Sequence, residues 1–320
     1  YAGGKCGGVS SISAGVPYVI ELDESDGSIF EIMPEILVIN NLEHEHADFY
    51  KTPESMLESF ERYLIAGKPR KLITGRGFSL SDSLYTTFSA ESFPSVREIV
   101  EQTSFQNASG FDFFSRNGAY YMVFGKEDIE IGSVKEPVHV LQNRASALLA
   151  SAHYLACAGR MLPAIDYREF WNSIPAVDRR FQPAGEFKGI ALIDDYAHHP
   201  SELKALIDQA DRKFGSFGLI FQPHRISRFT AFYSSFMEVL KGVEPLFILP
   251  VYSAGEKMEG ADSVQLYNDI RMLGGDVYYF DSLNAAADFF RDNIDRMHIS
   301  ALVSAGAGDL NDIFRMLVEK

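Results

Sequence analysis

Four polar clusters, each directly behind a run of apolar residues, hold the side chains capable of chemistry. The densest is DDYAHHPSE (194–202), with two carboxylates, a phenol and two imidazoles ahead of Pro200. Proline can open a helix there and Glu202 suits its positive end, yet capping needs one or two of these groups, not five. FQPHRISR (221–228) sets Arg225 and Arg228 three apart at a helix start. That spacing can grip phosphate or carboxylate, or pair with acids in a chain this acidic. ELDESD (21–26) crowds four carboxylates into six residues. Their mutual repulsion makes a hard cation such as Mg²⁺ a natural partner, with an acidic loop in water as the plain alternative. In NLEHEHAD (41–48), His44 and His46 are two apart, unlike the i, i+4 pair of a zinc-protease helix. In an extended loop they face opposite ways, so one at most reaches a given site. The Gly-rich turns YSAGE (252–256) and AGAGD (305–309) would let backbone approach a ligand.

The elements that must position these groups are clearest in the last 140 or so residues. Apolar runs at 189–193, 217–221, 245–249, 276–280 and 300–304 alternate with helical patterns at 201–213, 227–241, 262–273, 283–294 and 309–318. Near-continuous apolar strands, each followed by an amphipathic helix, predict a doubly wound parallel sheet covered on both faces. Ligands gather at the carboxyl ends of such strands, where every cluster of this half lies. In the first half, 16–22 and 35–40 read as buried strands and 52–66 as a helix beginning at a proline. Residues 75–138 read as short strands and turns, with a hairpin of 119–124 and 128–131 across 125–127. A long helix, 141–159, carries Ala145, Ala147, Ala150 and Ala152, suited to close packing. The segment 174–188, with Pro175, Pro183 and Gly185, reads as a linker.

The 320 residues suffice for about two domains. Lys and Arg number 29 against 44 Asp and Glu, a net charge of −15, which argues against wrapping nucleic acid or lying on an anionic membrane. No apolar run approaches the ~18 residues of a membrane span. Cys6 and Cys157 form no disulfide framework and fit a reducing cytoplasm.

Taken in order, DDYAHHPSE (194–202), FQPHRISR (221–228), VYSAGE (251–256) and GAGDL (306–310) resemble the C-terminal domain of the Mur ligases. ELDESDGS (21–28) resembles that family's acidic strand end. NLEHEHADFY (41–50) resembles its Asn-Ile-Glu-x-Asp-His-x-Asp segment, and HVLQNRASALLA (139–150) its His-Asn-x-x-Asn helix start. The resemblance covers nearly the whole chain. Tyr196 and Arg228 favour the alanine-adding branch over the murein-tripeptide recycling branch, which tends to carry Phe and Asn there.

The resemblance implies an incomplete P-loop-type ATPase central domain, 1–178, followed by a mostly parallel, Rossmann-like C-terminal domain, 179–320. It implies ATP-dependent joining of L-alanine to the carboxylate of UDP-N-acetylmuramate through an acyl phosphate. Glu21 and His46 would be Mg²⁺ ligands. His139 and Asn143 would meet the adenine, with Arg179 or Arg180 also near the nucleotide and Asp195 on the ribose. Tyr196, His198, His224, Arg225 and Arg228 would line the alanine and muramoyl carboxylate end. There are departures: Glu45 stands where the family usually has Asp, and Val140 replaces the first Asn of the adenine pair. No G-x-x-x-x-G-K-[ST] phosphate loop occurs. GGKCGG (3–8) resembles the Gly-Gly loop beyond it, and the domain that holds the UDP-sugar has no counterpart. The chain is therefore expected to be part of a three-domain enzyme, with little or no ligase activity alone. A metal-dependent hydrolase and a non-catalytic nucleotide-binding module remain open alternatives.

Overall fold

The computed structural model describes residues 17–22, 24, 25, 27–40, 42–44, 49–67, 69–74, 91, 92, 105, 106, 112–124, 127–133, 136, 138–175, 177–257 and 260–318. Two compact units, Ile12–Pro175 and Ala176–Lys320, each carry cores of their own.

In the first unit, β1 (Ile36–Ile39) is followed by α1 (Pro53–Gly67), β2 (Lys71–Thr74) and β3 (Glu91–Ser92), and the three strands form a parallel sheet in that order. Leu37, Ile39, Phe60, Leu64 and Leu72 pack between α1 and this sheet. An antiparallel sheet follows, made of β4 (Phe105–Gln106), β5 (Asp112–Arg116), β6 (Ala119–Phe124) and β7 (Glu127–Ser133). Asn117 and Gly118 join β5 to β6 with φ of 52° and 77°, the left-handed pair that matches a hairpin's twist. The expected hairpin is β6 against β7, paired from Ala119 opposite Ser133 to Phe124 opposite Glu127. The long helix α2 (Val138–Cys157) begins one turn earlier than its apolar pattern and buries Leu141, Ala145, Leu148 and Leu149. Short α3 (Tyr167–Ser173) is fastened to β7: Trp171 Nε1 donates to the Glu130 carbonyl (2.9 Å), and Arg168 donates twice to the Glu130 carboxylate (2.8 and 2.7 Å).

One expected strand does not form. Residues 17–22 are irregular and, up to half-buried Leu22, exposed, Tyr18 to 64% and Val19 to 94%. An apolar run becomes a strand only when a neighbour completes its hydrogen-bond ladder. Among the described residues, β1 is an edge strand paired to β2 alone.

The second unit is a six-stranded sheet. Its strands are β8 (Gln182–Phe187), β9 (Ile190–Asp195), β10 (Phe217–Phe221), β11 (Leu246–Ile248), β12 (Val277–Tyr279) and β13 (Ala301–Ala305). They lie in the order β12-β11-β10-β13-β9-β8, all parallel except the edge pair β8–β9. The expected linker therefore contains a strand. Lys188 and Gly189 (φ 51° and 82°) make a tight turn that folds 182–187 back on β9, and Pro183 and Gly185 are absorbed by a register shift. Proline is tolerable there because β8 is an edge.

Helices α4 (Pro200–Phe214), α5 (Ile226–Ala231), α6 (Tyr233–Leu240) and α7 (Ser263–Met272) bury Leu203, Phe229, Phe236 and Leu266 on one face of the sheet, against Ile193, Leu219 and Val303. The other face, with Leu192, Ile220 and Leu302, takes α8 (Leu283–Asn293) and α9 (Asp312–Val318) through Phe290, Ile313 and Phe314. Successive strand residues thus serve opposite cores, which is why the strands are apolar throughout. The single helix expected over 227–241 is broken at Phe232 (φ −110°, ψ 18°). The chain leaves β10 toward one face and β13 toward the other. That makes the adjacent carboxyl ends of β10 and β13 the switch point of the sheet.

Candidate active site

At this switch point the loops after β9, β10, β11 and β13 converge. The Tyr196 ring stands edge-on to His198 (5.2 Å between centroids), His198 lies 5.7 Å from His224, and His224 stacks on Tyr252 at 5.7 Å and 15°. Arg228 Nη1 lies 3.4 Å from His224 Nδ1. The sequence groups Tyr196, His198, His224 and Arg228 therefore meet as one cluster. Arg225 caps α5 beside them, with an exposed side chain and φ 59°.

The protonation pattern follows from the partners. A carbonyl only accepts, so His198 Nδ1, 2.8 Å from the Tyr196 oxygen, carries a proton. A guanidinium only donates, so His224 Nδ1 is the acceptor and the proton of its neutral ring sits on Nε2. Burial, and then the neighbouring His198, Arg228 and Arg225, lower the pKa of His224 to about 4. Glu202 lies 3.5 Å from His198 Nδ1 and accepts from the backbone N–H of His198 (3.0 Å) and His199 (3.2 Å). Burial pushes its carboxyl up, but His198, those N–H groups and Arg180 prevail and hold it below the usual range. Glu202 thus closes a capping box on α4 and also faces the histidine cluster.

Asp194 and Asp195 end β9 and are buried. Arg179 Nε donates to Asp194 Oδ2 (2.9 Å), and Ser304 Oγ donates to Asp194 Oδ1 (2.7 Å). Asp195 accepts from the backbone N–H of Phe181 (2.6 Å) and Ala197 (2.8 Å), and burial still raises its pKa. Arg180 is more exposed, 3.6 Å from Glu202 and 5.9 Å from the Tyr196 ring centre.

In the first unit, His139 falls in the opening turn of α2 and Asn143 one turn on. Asn143 Oδ1 accepts from Asn40 Nδ2 (2.8 Å), where β1 ends. Gln142 donates to the Asn40 carbonyl (2.7 Å) and Ser146 to Asn40 Oδ1 (2.6 Å). Glu21 is exposed, while His46, Asp23, Asp26, Glu45 and the loop 3–8 lie outside the described residues. Among the described residues, no three His, Cys, Asp or Glu side chains are grouped to hold a metal ion.

Reading single residues missed Asn40, Gln222 and the pairing of Tyr252 with His224. Each follows or closes a strand end, the one signal that could have singled them out. Gln222 is buried and donates through Nε2 to Asp309 Oδ1 (2.9 Å).

Residues 179–306 match the family model for the Mur ligase glutamate ligase domain. The UDP-N-acetylmuramate–L-alanine ligase of Carboxydothermus hydrogenoformans is 30% identical over 94% of this chain and 64% of its own length. The chain thus spans a little under two thirds of that relative. Among solved structures, the fold is similar to the UDP-N-acetylmuramate–alanine ligase of Thermotoga maritima (TM-score 0.61, 20% identity), across 93% of this chain and 62% of the other. It is also similar to the MurF ligase of Thermotoga maritima in complex with ADP (TM-score 0.55, 17% identity), across 91% and 63%. The family match over 179–306, the relative's identity along nearly all of this sequence and the shared fold thus agree in likening the chain to the Mur ligases.

Proposed function

We propose that this chain supplies the amino-acid and part of the nucleotide machinery of an ATP-dependent amide ligase. The reaction joins L-alanine to the carboxylate of UDP-N-acetylmuramate in the cytoplasm. The observation that carries this reading is the convergence of Tyr196, His198, His224 and Arg228, with Arg225 beside them, at the switch point of the second unit. ATP would phosphorylate the muramoyl carboxylate, the amine of alanine would attack the acyl phosphate, and phosphate would leave. Both steps gather negative charge, so the residues' work is positioning and cationic stabilisation. Arg225 and Arg228 suit carboxylate and phosphoryl oxygens by their planar forks. Neutral His224 adds an Nε2–H donor without demanding a counter-ion.

His139, Asn143 and Arg180 are the proposed nucleotide contacts, with Asp195 near the ribose. Glu21 and His46 are the proposed Mg²⁺ ligands. The described residues include Glu21 alone of that pair. Mg²⁺ keeps several waters and binds phosphates with few protein ligands, which suits so sparse a set.

The test assays phosphate release and product mass with ATP, Mg²⁺, UDP-N-acetylmuramate and L-alanine. It compares this chain with a fusion that places the first third of the Carboxydothermus relative before it. Without a phosphate loop in its sequence, the chain alone should show little or no turnover, while the fusion should form the amide. A folded fusion inert with L-alanine but active with the murein tripeptide would move the assignment to the recycling branch. A fusion inert with both would overturn the ligase reading.

A further inference from the structure

Arg179 and Phe181 both occupy the left-handed region (φ 57° and 48°), two residues apart and neither of them glycine. Strain of this kind persists only where the surroundings over-determine it. Here the Phe181 N–H donates to Asp195, the Arg179 N–H donates to Gln182 Oε1 (2.7 Å), and the Tyr196 N–H donates to the Arg179 carbonyl (2.7 Å). So held, the Arg179 guanidinium engages an acceptor with every nitrogen. Nε meets Asp194, Nη1 donates to the Gly308 carbonyl (3.2 Å) and Nη2 to the Gly306 carbonyl. The Tyr196 ring lies 5.1 Å away.

The turn it grips has no slack. A Cβ on Gly306 would fall 2.9 Å from the Gln222 carbonyl, and one on Gly308 would fall 2.6 Å from Gln222 Oε1 and 2.7 Å from Tyr252 Cγ. Tyr252 in turn stacks on His224, beside Arg228. A continuous line of contacts therefore runs from Arg179 through Gly306 and Gly308 to Tyr252 and His224.

We propose that Arg179 is a positioning residue, holding the 306–309 turn so that Tyr252 fixes His224 at the carboxylate-binding end of the site. This rests on the ligase reading for its chemistry, though not for its geometry. It assigns Arg179 to the amino-acid side and leaves the nucleotide to Arg180.

The test compares Arg179→Met, Arg179→Lys and Asp194→Asn in this chain by amide exchange, ¹⁵N relaxation and the His224 ring resonances. Losing charge-assisted hydrogen bonds should speed exchange of the Gly306 amide, which donates to the Asp195 carbonyl, at least about ten-fold. Order parameters over 306–309 should fall from about 0.85 to below about 0.6, and the His224 signals should move. Leu192 and Leu219, inside the sheet, should keep their protection. Lysine, which cannot fork, should not rescue, and Asp194→Asn should loosen the same turn if Arg179→Met does not fold. An unchanged turn, or protection lost equally across the sheet, overturns the proposal. In the fusion, Arg179→Met should lower kcat and raise KM for L-alanine with KM for ATP within about two-fold. A rise confined to KM for ATP also overturns it. An inactive fusion with a loosened turn would sink the ligase reading and leave the positioning role standing.

Discussion

At the scale of single residues, His224 is the most informative group. Its folded pKa of about 4 lies below the ordinary 6.5, so between those values the unfolded chain binds a proton that the folded chain refuses. The stability contributed by neutral His224 is therefore present above about pH 6.5 and is lost as pH falls toward 4. Urea denaturation of the chain across that range should show the slope, and His224→Gln should flatten it. A His224 ring that titrates near 6.5 by NMR would remove the effect. His198 and Arg228 are half-buried, and neither is part of the apolar core. In the fusion, His198→Ala or Arg228→Ala should cut turnover about 10²–10³-fold, the usual cost of one transition-state donor, with stability changed far less. Equal losses of folding and activity would return both to a structural role.

Elements position these groups through their ends. Helix α4 opens on a capping box that doubles as the carboxylate facing His198, so one residue both starts the helix and sets the local charge. Glu202→Ala should cost about 0.5–2 kcal/mol in urea denaturation, since it strands two backbone donors. The turn after β13 is limited by space instead. Gly308→Ala should destabilise by about 1–3 kcal/mol and displace the His224 resonances, because its methyl would collide with Tyr252 and Gln222. A neutral Gly308→Ala would mean that the turn has room to shift. Helix α5 has six residues, too few for much macrodipole, so in the proposed site the arginines themselves would supply the anion-binding charge.

Over the whole molecule, the charge of −15 stands against proposed ligands that are themselves anionic. The proposed site would meet them locally, with Arg180, Arg225 and Arg228 gathered at one edge of one sheet. Each unit owns its core, which a core truncation can test. Phe247 is fully buried in the second unit, and Phe247→Ala should cost that unit about 3–5 kcal/mol by circular dichroism. Trp171, the sole tryptophan, is buried in the first unit, so its fluorescence should report that unit's transition. A shift of both signals by the same amount would show the units to be thermodynamically coupled.

The sequence by itself determined the second unit's architecture and the kinds of chemistry at its strand ends. Hydrophobic periodicity is local, and the runs at 217–221 and 300–304 could bury themselves in only one such pattern. The set of Tyr196, His198, His224 and Arg228 was legible for the same reason, since parallel strands deliver their carboxyl ends to one edge. Tertiary structure decided what no local pattern carries. Residues 17–22 have strand composition without a ladder, and 182–187 has linker composition yet pairs with β9. Arg179 and Arg180 are chemically alike and adjacent, yet one is bound on every nitrogen and the other is largely exposed. Hydrogen bonds and close approaches between residues more than a hundred positions apart, such as Ser304 to Asp194 and Gly306 to Arg179, exist only once the sheet has formed.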